Sequence, residues 1–208
     1  MTRGGAAPTG VAAATRCRSA CIIEAVTADN PEDRPLVLTL RLDEATQDRF
    51  DRERAAHFPP GRTAVGAHVT LFHALPGSSR PEVEAELTTH QARRPFQVTV
   101  TEPFPLGRGV AYGLESEELR VLHRGLQDRW SDLLTPQDRQ RLRPHVTVQN
   151  KVTPEQARAT LAQLRAAHHP AEATALGLSL WRYDGGPWTP LAEFGFTGVV
   201  GTADRSPD

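Results

Sequence analysis

Lysine is almost missing from this chain: Lys151 is the only one, and the other basic side chains are all arginine. Net charge is missing too. Lys+Arg total 24 and Asp+Glu total 25, a formal charge of −1. This balance excludes a uniformly basic nucleic-acid coat protein, although it leaves room for a local basic groove. Cysteine is scarce: Cys17 and Cys21 stand alone near the N-terminus, and two thiols cannot complete a zinc site. No apolar run has the length of a membrane span, and Val11 to Ala14 is too short for a signal core. The sequence therefore predicts a soluble, cytoplasmic protein without a membrane partner, and a monomer. The shortage of lysine beside abundant Ala, Pro and Gly fits a GC-rich coding bias and carries little chemistry. A chain of 208 residues is long enough for one domain or two small lobes around a real core.

What is present is one short phrase written twice, as His68-Val69-Thr70-Leu71 and as His145-Val146-Thr147-Val148. Each copy alternates in the manner of a half-buried strand. His and Thr, two residues apart, share one face, and the apolar residues turn to the other. Two such strands brought together would set two imidazoles and two hydroxyls around one cavity, a composition suited to handling phosphate.

The elements around the phrases repeat as well. Residues 1–33 are rich in Gly, Ala and Thr and lack sustained periodicity, so they read as a flexible extension, and 199–208 as a flexible tail. Between them, 34–198 is the folded domain. Leu36–Leu42 alternates as a strand, and Asp43 caps a polar, exposed helix over 44–57. The first phrase follows within 65–75. Ser79 and Glu82 have the spacing of a capping box for a helix to about Arg93, and 96–100 is a strand. The second half opens with a strand at 109–115. A helix from Ser116 to Leu134 follows, with Leu119, Leu122, Leu126 and Trp130 on one stripe. The second phrase comes next, then a helix over 154–168 with Thr153, Pro154 and Gln156 as its start signals. The strand 174–183 and a hairpin to Phe196 close the chain. Matching elements recur at a nearly constant offset. This predicts an α+β fold of two pseudo-symmetric lobes, each with an antiparallel sheet and helices outside, about a central cleft.

With both phrases in place, the sequence resembles the 2H phosphoesterase superfamily, which includes the bacterial 2′–5′ RNA ligase and cyclic phosphodiesterase proteins. The resemblance spans roughly 34–196 and rests on His68-Val69-Thr70-Leu71 and on Arg143-Pro144-His145-Val146-Thr147-Val148. It departs from the family at Ala67, where a proline is common. It implies an enzyme that opens 2′,3′-cyclic phosphates, or cleaves and forms 2′–5′ linkages, in an RNA end or a small nucleotide, without metal or cofactor. The chemistry stands independently. In-line displacement at phosphorus needs one group to take a proton and another to give one, and two near-neutral imidazoles serve both tasks. His68 and His145 are the expected acid/base pair, and Thr70 and Thr147 the expected phosphate donors. Tyr112, Arg143 and Tyr183 are softer candidates for lining the substrate site, with Trp181 beside them. His73 falls on the opposite face if its strand stays regular, and His57, His90, His123, His168 and His169 read as packing or surface residues. Two alternatives remain: a module that binds a nucleotide or RNA end without turnover, and a metal site through His68, His73 and His145.

Overall fold

A computed structural model describes residues 30–59, 61 and 65–198. Cys17, Cys21, most of the expected extension and the tail lie outside the described residues. The final part of the expected extension is ordered: Pro31–Asp33 forms one 3₁₀ turn, with the Asn30 side chain accepting from Glu32 N. That turn lies so close to Gly77 that a Cβ there would stand 2.2 Å from the Glu32 carbonyl oxygen.

The alternating leucines of β1 (Leu36–Leu42) set the core, with Leu38, Leu40 and Leu42 buried. Fully burying each such side chain contributes roughly 1.5–3 kcal/mol. Helix α1 (Glu44–His57) starts where the Asp43 carboxylate accepts from Thr46 N. Strand β2 (Val69–Leu75), helix α2 (Arg80–Thr89) and strand β3 (Phe96–Pro105) complete the first half. Strand β4 (Val110–Glu115), helix α3 (Glu117–Arg129), strand β5 (His145–Gln149), helix α4 (Pro154–Ala167) and the β6–β7 hairpin (Ala171–Tyr183, Trp188–Gly195) form the second.

Two helix starts separate expectation from outcome. Thr153 and Gln156 form the full capping box. Ser79 does not cap α2: a 3₁₀ turn, Gly77–Ser79, runs directly into the helix and leaves Ser79 at ψ 7° instead of the extended backbone that a cap needs. Helix α3 is also shorter than its stripe. It ends at Arg129, while Trp130 and Leu134 continue the buried surface from the following turns.

The strands join in one antiparallel sheet of order β1-β2-β5-β4-β3-β6-β7, and β6 also pairs with β1, so six strands close into a barrel. The separate sheets expected for the two halves are thus parts of one continuous ladder. Helix α1 packs on the face that carries Val146 and Tyr112, with the Phe50 and Tyr112 rings 5.5 Å apart. A helix does not fit inside six strands, so this apolar face is the outside of the barrel. The opposite, more polar face is the inside. Among the described residues no helix is long and apolar enough to cross a membrane.

Candidate active site

The two phrases meet directly. Strands β2 and β5 pair at one position, Val69 opposite Val146, both almost fully buried toward the helices. Antiparallel register then sets His68 across from Thr147 and Thr70 across from His145, all four on the inner face. Each imidazole therefore neighbours the hydroxyl of the other phrase. All four residues are partly exposed.

Both rings are held alike. Nδ1 of His68 lies 2.8 Å from the Gly66 carbonyl, and Nδ1 of His145 lies 2.8 Å from the Arg143 carbonyl. A carbonyl only accepts, so Nδ1 carries the proton and the neutral ring keeps its lone pair on Nε2. Neither Nε2 has a hydrogen-bond partner among the described residues, nor does either threonine hydroxyl. Burial pushes the His68 pKa below its ordinary 6.5; the Gly66 bond opposes this, and the positive charges of Arg54, His145 and His73 reinforce it. Aromatic rings flank both imidazoles, Trp188 at 4.7 Å from His68 and Phe104 at 6.4 Å from His145.

A clasp under the site comes from α1. Arg54, buried despite its charge, donates from Nη1 to the Thr147 carbonyl at 2.6 Å and from Nε to the Val65 carbonyl at 3.2 Å. Its guanidinium also lies 4.1 Å from the Phe58 ring. One side chain thus ties the approach to His68 to the backbone of the second phrase. The expectation of an exposed helix over 44–57 is corrected here: Phe50 and Arg54 form a buried ridge.

Polar residues continue across the inner face. Thr39 lies opposite Thr70 and Ser179, and Ser179 lies opposite Glu193. Trp181 Nε1 donates to Thr39 Oγ1 at 2.9 Å. Thr39, Trp181, Arg41 and His68 line a cleft of about 510 Å³, where Arg41 pairs with Glu193 at 2.6 Å. On the other side Thr70, His145, His73, Asp138, Arg141 and Arg143 line a cleft of about 420 Å³.

Several expectations need correction. Tyr112 does not line the site: it pairs with Val146, so it shares the outer face, and it is 2% exposed beneath Phe50 and Arg49. Desolvation raises its pKa to about 12, helped by Glu53. Tyr183 sits half-buried in β6 and lines neither of the two clefts around the histidines. Arg143 is exposed and does line the His145 cleft. His73 faces inward with Thr70, because Thr39 pairs with Thr70 while Leu38 pairs with Phe72. That extra residue, Leu71, is a β-bulge that reverses the alternation. Thr39 and Ser179 were invisible as site residues because each is an ordinary strand residue in an apolar run. His123 is a packing residue, stacked on Phe72 at 4.7 Å with Nε2 3.1 Å from the Leu71 carbonyl. Among the described residues no three His, Cys, Asp or Glu side chains are grouped to hold a metal ion.

Comparison with known proteins follows the same lines. The family model described as the 2′-5′ RNA ligase superfamily matches residues 42–187. TT0787 of Thermus thermophilus is similar in fold, with TM-score 0.54 and 21% identity, over 79% of this chain and 98% of that one. E. coli LigT complexed with 3′-AMP is similar to the same degree, with TM-score 0.54 and 20% identity over 79% and 98%. No match was found among curated proteins.

Proposed function

Because the chain belongs to the 2′-5′ RNA ligase superfamily, we propose that it is a phosphoesterase that opens 2′,3′-cyclic phosphates, or cleaves and forms 2′–5′ linkages, at an RNA end or on a small nucleotide. One observation carries this reading: two imidazoles, each fixed through Nδ1 to the carbonyl two residues earlier, each with no Nε2 partner among the described residues, and each beside the other phrase's hydroxyl.

In this mechanism phosphate binds between the phrases with Thr70 and Thr147 donating to its non-bridging oxygens, where negative charge builds in the transition state. One Nε2 takes a proton from the attacking water while the other, protonated, gives one to the departing ribose oxygen. Burial favours the neutral ring of His68, the form in which a base begins. The partner imidazole supplies the leaving-group proton, and ligation would reverse the two roles. Arg143, at the mouth of the His145 cleft, is placed to meet an anionic substrate. LigT was solved with 3′-AMP, a phosphomonoester of the type that cyclic-phosphate opening leaves behind. A pseudo-twofold relation between two lobes, with the site on the axis, is part of the same reading. Exchanging β1 with β4, β2 with β5 and β3 with β6 maps the closed ladder onto itself.

The test is a screen of nucleoside 2′,3′-cyclic phosphates, a cyclic-phosphate-terminated oligonucleotide and a 2′–5′ dinucleotide. Turnover of at least one is expected. His68→Ala and His145→Ala should each lose about 10²–10⁴-fold in kcat/KM while remaining folded. Binding without turnover, or full activity in either variant, would overturn the proposal.

A further inference from the structure

The four residues of the two phrases do not use the whole cleft beside His145. His73 extends that cleft three residues along β2 from Thr70, brought to the inner face by the bulge at Leu71. Its ring is anchored: Nδ1 lies 3.0 Å from Asp138 Oδ1, and that carboxylate is wholly buried while the His73 side chain is 42% exposed. Since a carboxylate accepts, Nδ1 is the donor and Nε2 is left toward the cleft without a partner among the described residues.

Asp138 accepts from His73 N at 2.8 Å, from Ala74 N at 3.1 Å and from Thr135 Oγ1 at 3.2 Å as well. Its charge is thus met by donors behind the cleft wall. The same loop carries Arg141 and Arg143 into the cleft, both exposed and neither with an acidic partner among the described residues. An anchored imidazole and two uncommitted guanidiniums make one side of a cleft of about 420 Å³ attractive to an anion beyond the reacting phosphate.

We propose that His73, Arg141 and Arg143 form a second phosphate subsite beside His145, so that the substrate carries another phosphate group next to the cyclic one. This rests on the reading of the two phrases as the reacting site. Three residues of strand span up to about 10 Å, a reach that suits the 5′ phosphate of the nucleotide whose 2′ and 3′ oxygens carry the cyclic ester. Asp138 is a positioning residue: it fixes the His73 ring and pins the loop that bears both arginines.

Calorimetry on the full chain tests this with unreactive ligands, adenosine 3′-monophosphate against adenosine 3′,5′-bisphosphate. The bisphosphate should bind at least tenfold more tightly, with the advantage shrinking as salt is raised. His73→Gln and, separately, the exposed-site variant Arg141→Gln should each cut that affinity ratio several-fold. Equal affinity for the two ligands in the wild type, or a ratio untouched by both substitutions, would overturn the subsite. If His73→Gln proves unfolded, Arg141→Gln decides alone. An adenylyl dinucleotide 3′-phosphate, whose internal phosphodiester replaces the 5′ monoester, tells RNA ends from free nucleotides: either ligand gaining the advantage supports the subsite. If no cyclic phosphate is turned over, the phosphoesterase reading fails while the affinity ratio still decides the subsite.

Discussion

At the scale of single residues, the proposed mechanism depends on protonation and on two hydroxyls. Replacing Thr70 or Thr147 by Val keeps the shape and removes a donor from the developing charge. Each change should lower kcat by about 10²-fold or more, leaving KM much less altered in steady-state assays on a cyclic nucleotide. Burial of His68 gives a second expectation. Its folded-state pKa lies below its unfolded value, so the native state prefers the neutral ring. The resulting contribution to stability is present above about pH 6.5 and is lost as pH falls through the depressed folded pKa. His68→Gln removes that penalty. Urea midpoints measured at pH 7 and pH 5 should therefore fall less in the variant than in the wild type. An equal fall in both would mean that His68 ionises alike in the folded and unfolded chain. The residues legible in advance were those whose strand alternates cleanly. His73 was misplaced because a bulge is not written in side-chain alternation. Tyr112 was misplaced because Val110, Ala111 and Tyr112 are all buried, so β4 carries no in-and-out pattern from which to assign a face.

At the scale of elements, strand and helix positions followed from capping residues and periodicity, while the purpose of α1 did not. Its sequence is polar nearly all round, which reads as a solvated helix. Its buried contribution is a ring and a guanidinium one turn apart, Phe50 and Arg54, and the value of a buried arginine lies in distant carbonyls that no local pattern reveals. Strands β2 and β5 touch at a single register position, so the clasp compensates for a thin seam. Arg54→Met fills similar space and leaves the Thr147 and Val65 carbonyls without their donor. It should cost about 1–3 kcal/mol in chemical denaturation and should also lower kcat, because it frees the backbone behind both phrases. A stability loss with unchanged kcat would limit Arg54 to a structural role.

At the scale of the molecule, the repeated order of elements expected from the sequence does not by itself contain the single closed ladder that the strands form. Pairing runs mostly between the halves. Strand β3 has partners only in β4 and β6, and β1 gives one edge to β6. The two phrases themselves meet across the same boundary. Within its own half, β3 has no ladder at all, and unpaired backbone groups are costly to bury. Neither half can therefore close a core. Cutting between Gly107 and Arg108, in the turn where Leu106 N meets the Gly109 carbonyl, removes no ladder hydrogen bond while dividing the chain between β3 and β4. Residues 30–107 and 108–198, prepared separately, should each lack a cooperative unfolding transition. Mixed in equal amounts, they should associate and recover one, together with the proposed activity if the intact chain shows it on a cyclic phosphate. A cooperative transition in either fragment alone would mean that a half is a self-sufficient lobe, and the site would then be an interface between two folded units instead of the seam of one closed sheet.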